Sequence, residues 1–440
     1  MLPIHFTKVK FQNKNTGMLK IAAYKFLLFH VLLIAILYYL FYYLGLCTLL
    51  PSDASLLQWD ANWYNSIQLD GYWYSEKMQS NSGFYPLFPA LWNLLGCGAF
   101  AISCLNACIC LLSIALLVKY FQISTETALL FLSLPSIFFL YVPYAESIFF
   151  LGATITLVGL KRGKNAWILI GILIASLSKA TAIFFVPSGL FMLLTMQHFK
   201  QIKMLPLFLR SILLIAIVTL GTMLVVAIQY RQTGVWMAYF KSQSMQWNRS
   251  FTIPVFPLTT WDAHRLLTLD TAAFLVGVVA LFLCLRHLWS SVGNNLNSFL
   301  QTDKAYLFSC AFLVMVLASI LFFNPLDAAT NTTSILSINR YMIASPFLLV
   351  FLHHHLSSSR LTQKELFVLF GLLLALGFIF NAYSGKRSAF LFFLLIGYCM
   401  SYLTVLYKPL LKKYWLVLYF INCCFQLFLF NSFLEGQWVG

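Results

Sequence analysis

The feature that most constrains this chain is a series of apolar segments, each about 18 to 25 residues long, that recur from one end to the other. A helix of about 20 residues crosses the hydrocarbon core of a bilayer. Of the 440 residues, 61% are hydrophobic and only 9% are charged, whereas a soluble domain has about a quarter of its residues charged. The alternating strands of a transmembrane barrel do not occur in the sequence. We therefore predict an all-α polytopic membrane protein.

Division of the chain by apolar runs and polar breaks predicts thirteen transmembrane helices. Their ranges are 26–48, 92–118, 125–142, 146–160, 166–178, 182–197, 206–229, 269–288, 305–323, 341–356, 366–381, 389–407 and 414–431. The short pair around Ser178–Thr181 is also compatible with one broken helix or a re-entrant segment. We predict a single integral membrane domain over residues 1–440, and the odd number of spans places its two ends on opposite sides.

The charge distribution predicts the orientation. With residues 1–25 as a basic cytoplasmic N-terminus, 19 of the 28 Lys and Arg residues lie inside, but only three of the 12 acidic residues do. The cytoplasmic face then has a net charge of +16 and the outer face has none, as the positive-inside rule requires. The basic composition thus reflects membrane orientation and contact with membrane lipids, and it gives no support for nucleic-acid binding.

The predicted outer loops contain most of the unusual polar residues. They cover residues 49–91, 230–268 and 324–340, while the cytoplasmic loops are short. Any chemistry is therefore expected at the outer face, with 49–91 as a catalytic loop. The sequence has no Walker A motif, which speaks against a nucleotide-driven pump. It also shows no internal repeat of the kind on which many transporters are built.

The first outer loop combines carboxylates with aromatic rings in QWDANWYNSIQLDGYWYSEKMQSNSGFYPLFP, from Gln58 to Pro89. A carboxylate at an apolar boundary loses hydration, which raises its pKa and suits a general base, so Asp60 is predicted to be catalytic. Aromatic faces suit the apolar face of a sugar ring. An aromatic belt with solvated acids is the alternative. The predicted substrate-binding residues are Trp59, Trp63, Tyr64, Asp70, Tyr72, Tyr85, Glu146, Gln243 and Trp247.

Three cations lie in or near the predicted outer ends of the helices: Lys179 in SLSKATAIFF, Arg249 in QWNRSF and Arg340 in INRYMIASP. Ionisable groups at membrane depth are costly and are functional candidates by default. We predict that these three bind a lipid phosphate, the arginines through a planar fork and the lysine as a point charge. The alternatives are extension to the headgroups and a structural ion pair, for example between Lys179 and Glu146.

These segments resemble the PIG-V family, the GPI mannosyltransferase 2 type, and its bacterial members. The segments PYAESIFF, SLSKATAIFFVP, VWMAYFKSQSMQWNR and NRYMIASPFLLV are similar to later family blocks in the same order, over about residues 58–350. The sequence departs from the family pattern at Ser178-Lys179-Ala180, where the family has Arg-Pro, and at Asn339, where it has Pro. The first-loop residues that carry the resemblance are Trp59, Asp60, Trp63, Tyr64, Gly71, Tyr72 and 84–89.

The resemblance implies a GT-C glycosyltransferase with an inverting reaction and a first-loop aspartate as its key carboxylate. Such an enzyme moves a sugar, here mannose by resemblance, from a polyprenyl-phosphate donor to a lipid, glycan or protein acceptor on the non-cytoplasmic side. Polyprenyl phosphate is a good leaving group, so one base and phosphate-binding cations suffice.

Several alternatives remain open from the sequence. The function could instead be that of a transporter or flippase of lipid-linked saccharides, or of a non-enzymatic assembly subunit. No cofactor is predicted, and the alternative is a divalent metal between Asp60, Asp70 and Glu146. A bacterial inner membrane is the expected location, with the ER membrane as the alternative.

Overall fold

The computed structural model describes residues 18–198, 202–260, 269–292, 303–358, 363–407 and 412–439. Within these ranges the chain consists of helices and connecting loops, with two isolated β-bridges, Thr259 to Ser334 and Leu326 to Thr333. The predicted class, an all-α polytopic membrane protein, is confirmed. Most of the predicted N-terminal segment 1–25 lies outside the described residues, and the first helix begins within it, at Met18.

The described residues from 18 to 198 form nine α-helices and three 3₁₀ turns. The 3₁₀ turns are Asn81–Gly83, Pro135–Leu140 and Ala180–Phe184. The helices are α1 Met18–Tyr43, α2 Asp53–Leu56, α3 Asp60–Asp70, α4 Leu87–Leu95, α5 Ala99–Phe121, α6 Thr125–Leu132, α7 Glu146–Arg162, α8 Asn165–Ser178 and α9 Phe185–His198.

The second half continues with helices α10 to α18. They are α10 Met204–Thr233, α11 Ala238–Met245, α12 Leu269–Val292, α13 Lys304–Phe323, α14 Ile338–Met342, α15 Pro346–Ser358, α16 Gln363–Ile379, α17 Lys386–Tyr407 and α18 Trp415–Leu434.

Eight helical segments of the described ranges are long and apolar enough to cross a membrane. These are Lys25–Tyr43, Ala99–Phe121, Ala180–Gln197, Met204–Thr233, Leu269–Leu288, Lys304–Phe323, Lys386–Val405 and Trp415–Leu434. Three further apolar helices are shorter, namely Asn165–Ser178, Pro346–Leu356 and Leu366–Ile379. Eight of the thirteen predicted spans thus correspond to helical segments of membrane-spanning length, and three more correspond to the shorter apolar helices.

Proline explains two of the differences. The predicted span 125–142 is divided, because α6 ends at Leu132 and Pro135 begins a 3₁₀ turn. The predicted span 341–356 is divided between α14 and α15, and Pro346 is the first residue of α15. Proline has no N–H to donate and fits the first turn of a helix, so each proline starts a new segment. Around Ser178–Thr181, where one broken helix was an alternative, the extended residue Lys179 separates α8 from the 3₁₀ turn Ala180–Phe184.

Packing at the centre of the bundle is aromatic. Phe185 of α9 is fully buried and contacts rings on three other helices, with centroids 5.4 to 5.9 Å apart. Two of those rings, Phe312 of α13 and Phe347 of α15, stack on each other at 3.9 Å. Edge-to-face and offset pairs of this kind add stability beyond their buried area.

Two sets of contacts join loop segments that are far apart in the sequence. The Thr48 hydroxyl donates to Glu435 and the Trp59 indole N–H donates to the carbonyl of Gln437, so the C-terminal segment lies against the start of the first predicted outer loop. Lys161 and Asp303, which both lie in segments predicted to be cytoplasmic, form an ion pair.

Glycine allows a close helix contact near the site, between α7 and α8. A Cβ on Gly171 would lie 2.5 Å from the carbonyl oxygen of Gly152 and 2.5 Å from the hydroxyl of Thr156. A Cβ on Gly152 would lie 2.8 Å from the backbone of α8. Small residues at such crossings let membrane helices approach closely. This contact positions the start of α7 and the end of α8, which carry two of the predicted site residues.

We predict that Gly171→Ala destabilises the protein by about 1 to 3 kcal/mol, because the added methyl group overlaps backbone that cannot move aside. Gly371→Ala in α16 is the matched control, since no atom lies within 4 Å of its added Cβ. The control is expected to be neutral or to stabilise by up to about 1 kcal/mol through helix propensity. Thermal unfolding in detergent measures both variants, and equal midpoints would contradict the close contact.

Candidate functional site

Asp60 is presented by an unusual backbone conformation. Trp59, which precedes α3, has φ +54° and ψ −118°, a strained region for a bulky residue. Two contacts hold it there: its indole N–H donates to the Gln437 carbonyl at 3.2 Å, and its ring packs edge-to-face on Trp438. The C-terminal segment thus fixes the start of α3, where Asp60 is the first residue.

Four of the predicted site residues form one continuous chain of ion pairs. Arg340 of α14 lies at its centre, with Nη2 2.6 Å from Oδ2 of Asp60 and Nε bonded to Oε1 of Glu146. The same Glu146 oxygen lies 2.7 Å from Nζ of Lys179. The chain Asp60–Arg340–Glu146–Lys179 therefore contains two anions and two cations. We refer to it as the charge chain.

The charge chain is buried in its middle and more open at its ends. The side chains of Arg340 and Glu146 are 4% and 3% exposed, whereas those of Lys179 and Asp60 are 13% and 19% exposed. Buried charges are tolerated when they are paired and hydrogen-bonded. Asp60 is thus the carboxylate that a substrate reaches most readily. Our expectation of an apolar environment for it was incomplete, because Arg340 is its direct neighbour.

Aromatic rings support the guanidinium of Arg340. Its central carbon lies 4.5 Å from the ring centroid of Tyr144 and 5.4 Å from that of Phe139. Such cation–π contacts are most favourable where water is excluded. Both rings come from the segment between α6 and α7, so this segment helps to fix the position of the guanidinium.

Glu146 has one oxygen without a partner. Its Oε1 accepts from both Lys179 and Arg340, while Oε2 is buried and makes no hydrogen bond to any described residue. Glu146 is also the first residue of α7, where the helix dipole stabilises a negative charge. A buried unpaired carboxylate oxygen needs a donor, and a ligand hydroxyl or an ordered water supplies one.

Tyr64 of α3 is buried beside the two carboxylates. Burial raises the pKa of its phenol well above the usual value, and the negative charges of Glu146 and Asp60 raise it further. Tyr64 therefore stays protonated and is not a base. Its ring packs edge-to-face on Phe84 and Phe88.

A small cavity adjoins the charge chain next to Tyr341. Arg249 and Tyr341 line it together with the polar side chains of Thr181, Ser319 and Asn324. Lys179 lies with Nζ 4.4 Å from the centroid of the Tyr341 ring. Burial alone would raise the pKa of Tyr341, but the cations Arg249, Lys179 and Arg340 lower it below its usual value. With Arg249 in its wall and Lys179 against the ring of Tyr341, the cavity is electropositive.

An apolar cavity of about 370 Å³ lies directly beside the electropositive one. The two share Phe184, Ser319 and Phe323 in their walls. The rest of the second cavity is lined by Phe251, Met315, Ala318 and Phe322. A polar compartment thus continues into an apolar one, which matches an amphiphile with an anionic head.

The predicted aromatic residues of the first loop pack on one another. Trp63 contacts Trp73, Phe84 and Trp247, with ring centroids 6.0 to 6.4 Å apart. Trp247 comes from the second outer loop, so this cluster joins the two loops. The indole N–H of Trp247 is buried and has no hydrogen-bond partner among the described residues.

Four glutamines hold the first outer loop in place. Gln229 and Gln232 lie at the end of α10, and Gln243 and Gln246 lie in and just after α11. Their amides bond to the backbone of the first loop at 2.7 to 3.1 Å. The partners are Ser82 and Phe84 for Gln229, Tyr72 for Gln232, Gly83 for Gln243 and Ser80 for Gln246.

The structure brings together only part of the predicted set. Asp70 is exposed at the other end of α3, about 15 Å from Asp60 along the helix axis. The Tyr72 hydroxyl donates to the Phe84 carbonyl, and Tyr85 packs against Tyr239. Asp70 therefore lies away from the charge chain, while Tyr72 and Tyr85 pack within the loops. The sequence pattern could not separate these three residues from the charge chain.

The three carboxylates offered as a metal set do not converge. Asp60 and Glu146 are bridged by Arg340, and Asp70 is distant from both. In the described ranges, no group of three or more His, Cys, Asp or Glu side chains is placed to hold a metal ion.

Two aromatic residues of the site were missed in the sequence. Tyr144 and Tyr341 support the cations, and each lies within two residues of a predicted site residue. The sequence offered one sign of their role, namely that Tyr144 lies two residues before Glu146 and Tyr341 directly follows Arg340.

Comparison with known proteins gives one structural likeness. No protein-family model matches the chain, and no curated protein matches it. A search of solved structures finds ArnT from Cupriavidus metallidurans bound to undecaprenyl phosphate, with 13% identity and a TM-score of 0.49. The alignment covers 92% of this chain and 77% of that one. A likeness at this level assigns neither a family nor an activity.

We predict that the charge chain is energetically coupled. Glu146→Gln removes the carboxylate that pairs with Lys179 and leaves Arg340 with Asp60 alone, and Lys179→Met leaves an excess negative charge, so each variant is expected to lose about 3 kcal/mol of unfolding free energy. The double variant retains the balanced Asp60–Arg340 pair. Its loss is expected to be at least about 1 kcal/mol smaller than the sum of the single losses. Chemical unfolding in mixed micelles measures this cycle, and strict additivity would show that the pair is not coupled.

Proposed function

We propose that this protein is an inverting glycosyltransferase that transfers a sugar from a polyprenyl-phosphate-sugar donor to a lipid, glycan or protein acceptor on the non-cytoplasmic face of the membrane. One observation carries the proposal. A partly exposed carboxylate, Asp60, ends a buried, charge-balanced chain beside an electropositive cavity that continues into an apolar one. A base, a phosphate site and a lipid site are thus adjacent.

The donor fits the two cavities by its chemistry. Arg249 in the cavity wall offers the phosphate a charge-assisted hydrogen bond. Lys179, whose Nζ lies over the ring of Tyr341, adds positive charge beside the cavity. The apolar cavity with its phenylalanine walls would take the first isoprene units. In this assignment Arg340 adds to the positive field at the phosphate and orients Asp60, because its guanidinium already binds two carboxylates.

The chemistry needs one proton acceptor. An acceptor hydroxyl attacks the anomeric carbon of the donor sugar from the face opposite the phosphate, and its proton passes to Asp60. The bond between the anomeric carbon and the phosphate oxygen breaks, and polyprenyl phosphate leaves with the electron pair. The cations stabilise the charge that develops on the leaving phosphate. Only one carboxylate acts as a base, unlike the pair used in glycoside hydrolysis.

The sugar would lie between Asp60 and the aromatic cluster. Oε2 of Glu146 is a buried acceptor without a partner in the described chain, and it suits a sugar hydroxyl. Trp63 and Trp247 offer ring surface on the neighbouring side. Mannose is the proposed sugar, and it rests on the resemblance of the first loop to the PIG-V family. A bacterial inner membrane, with the N-terminus inside, is the proposed location.

We predict that Asp60→Asn lowers transfer from polyprenyl-phosphate-mannose by about 100-fold or more, because the general base is lost. Donor binding is expected to change by less than about threefold, since the cations remain. The assay uses purified protein in nanodiscs, radiolabelled donor and a panel of lipid acceptors. Glu76→Gln, which removes an exposed carboxylate from the same loop, is the matched control and should retain full turnover.

Unchanged turnover in Asp60→Asn would refute the mechanism. Donor binding without turnover, in wild type as well as in the variant, would favour a carrier of lipid-linked saccharides. Repeating the assay with a chelator tests for a metal, and undiminished turnover is the expected result.

We predict that Arg249→Ala raises the donor KM by about tenfold or more with a smaller effect on kcat. A hydrogen bond to a charged group contributes about 1.5 to 3 kcal/mol, and a point charge restores only part of it, so Arg249→Lys should be intermediate. Arg231→Ala, at an exposed arginine near the end of α10, is the control. An equal rise in KM in the control would point to general attraction of the anionic lipid instead of a defined site.

A further inference from the structure

Asp270, the second residue of α12, is a buried carboxylate outside the charge chain and outside every sequence-based site prediction. Asp270 is 1% exposed. Oδ1 accepts from the backbone N–H of Asn339 at 3.0 Å and from the Asn339 side-chain amide at 2.7 Å. Oδ2 accepts from the Thr260 hydroxyl at 2.7 Å. All three donors are neutral, so these contacts do not form an ion pair.

We propose that Asp270 is a positioning residue that holds Arg340, and through Arg340 the base Asp60, in the reactive arrangement. This inference rests on the proposed function. A buried carboxylate costs more than a buried amide, but it offers only acceptor sites and binds several donors at once. At this position the donors come from the second outer loop and from α14, so one side chain joins two separate segments.

The segment that Asp270 holds cannot fix its own conformation. Helix α14 has five residues, Ile338–Met342, which is too short to be stable alone. It is preceded by Ser337, whose φ of +72° is in the left-handed region that is unfavourable for residues other than glycine. The bonds from Asn339 to Asp270 compensate for this and determine where the helix begins.

Asn339 also connects α14 to the ring that supports Arg340. Its Oδ1 accepts from the Ser136 hydroxyl at 3.1 Å, and Ser136 lies in the 3₁₀ turn Pro135–Leu140. The same turn contributes Phe139, which packs against the Arg340 guanidinium. Asn339 is thus hydrogen-bonded on one side to Asp270 and on the other to Ser136, and we call these contacts the clamp. Arg340 is the next residue, so if the clamp is broken, α14 turns and the contact between Arg340 and Asp60 is lost.

The effect should appear in kcat. A displacement of about 1 Å in a catalytic group costs roughly 100-fold in rate. The proposed phosphate ligands Arg249 and Lys179 lie outside α14, so the donor KM should change much less than kcat. If Asp270 had a purely structural role, its substitution would lower the stability and the amount of active protein. The remaining active protein would then keep its normal kcat and donor KM.

The test uses the full-length protein in nanodiscs with polyprenyl-phosphate-mannose as donor. Asp270→Asn is expected to lower kcat by about tenfold or more and to change the donor KM by less than about threefold. Asn339→Asp places two carboxylates at hydrogen-bonding distance and should be at least as severe. The double variant Asp270→Asn/Asn339→Asp exchanges donor and acceptor, and it should recover most of kcat.

Asp303→Asn is the matched control. Asp303 caps α13 at the opposite end of the bundle, where it accepts from the backbone N–H of Ala305 at 2.9 Å and pairs with Lys161. It should lower the thermal midpoint with kcat within about twofold of wild type. Unchanged kcat in Asp270→Asn, no recovery in the double variant, or a similar loss of kcat in Asp303→Asn would each overturn the proposal.

A second readout does not depend on transfer activity. Hydrogen exchange of the backbone amides in 337–342 should be faster in Asp270→Asn than in wild type and should return to the wild-type rate in the double variant. If wild type transfers no sugar, the proposed function fails, and the exchange result still decides whether Asp270 holds α14. If exchange in 337–342 does not change, the positioning role is excluded whatever the activity.

Discussion

The charge chain is the constraint on which the arrangement of the surrounding helix ends and loops depends. It joins residues that are far apart in the sequence, since Glu146 lies 33 residues from Lys179 and 194 from Arg340. Each charge is acceptable in a low-dielectric environment only because the others are present. The starts of α3, α7 and α14 and the end of α8 must therefore meet at one point. The glycine contact of α7 with α8 and the clamp on α14 serve this requirement.

The charge chain combines buried, fixed charges in its middle with an accessible carboxylate at one end. The two most buried members, Arg340 and Glu146, are fixed by ion pairs and aromatic support, while the end residues Lys179 and Asp60 are more exposed. A base on a flexible outer loop would lose much of its efficiency through disorder. Here the loop carboxylate is held by a buried guanidinium, and the glutamines of α10 and α11 hold the loop itself.

Sequence patterns predicted the helices well where long apolar runs decide the outcome. The predicted span 305–323 is α13, Lys304–Phe323, and the predicted segment 166–178 is α8, Asn165–Ser178. They failed where hydropathy continues across a backbone interruption, as at Pro135 and Pro346, because an apolar run does not require one uninterrupted helix. Hydropathy also could not show that Asp70 is separated from Asp60 by the length of α3.

The sequence by itself determined the class of protein, the helical segments and the identity of the four residues of the charge chain. Charged residues are so costly in an apolar chain that each one is conspicuous, and this is why Asp60, Glu146, Lys179 and Arg340 could be selected. Only the tertiary structure decided which charges pair and which cation borders the cavity. It also decided that Asp270 and Asn339 hold α14. These relations depend on the packing of helices that are distant along the chain, and no local pattern contains that information.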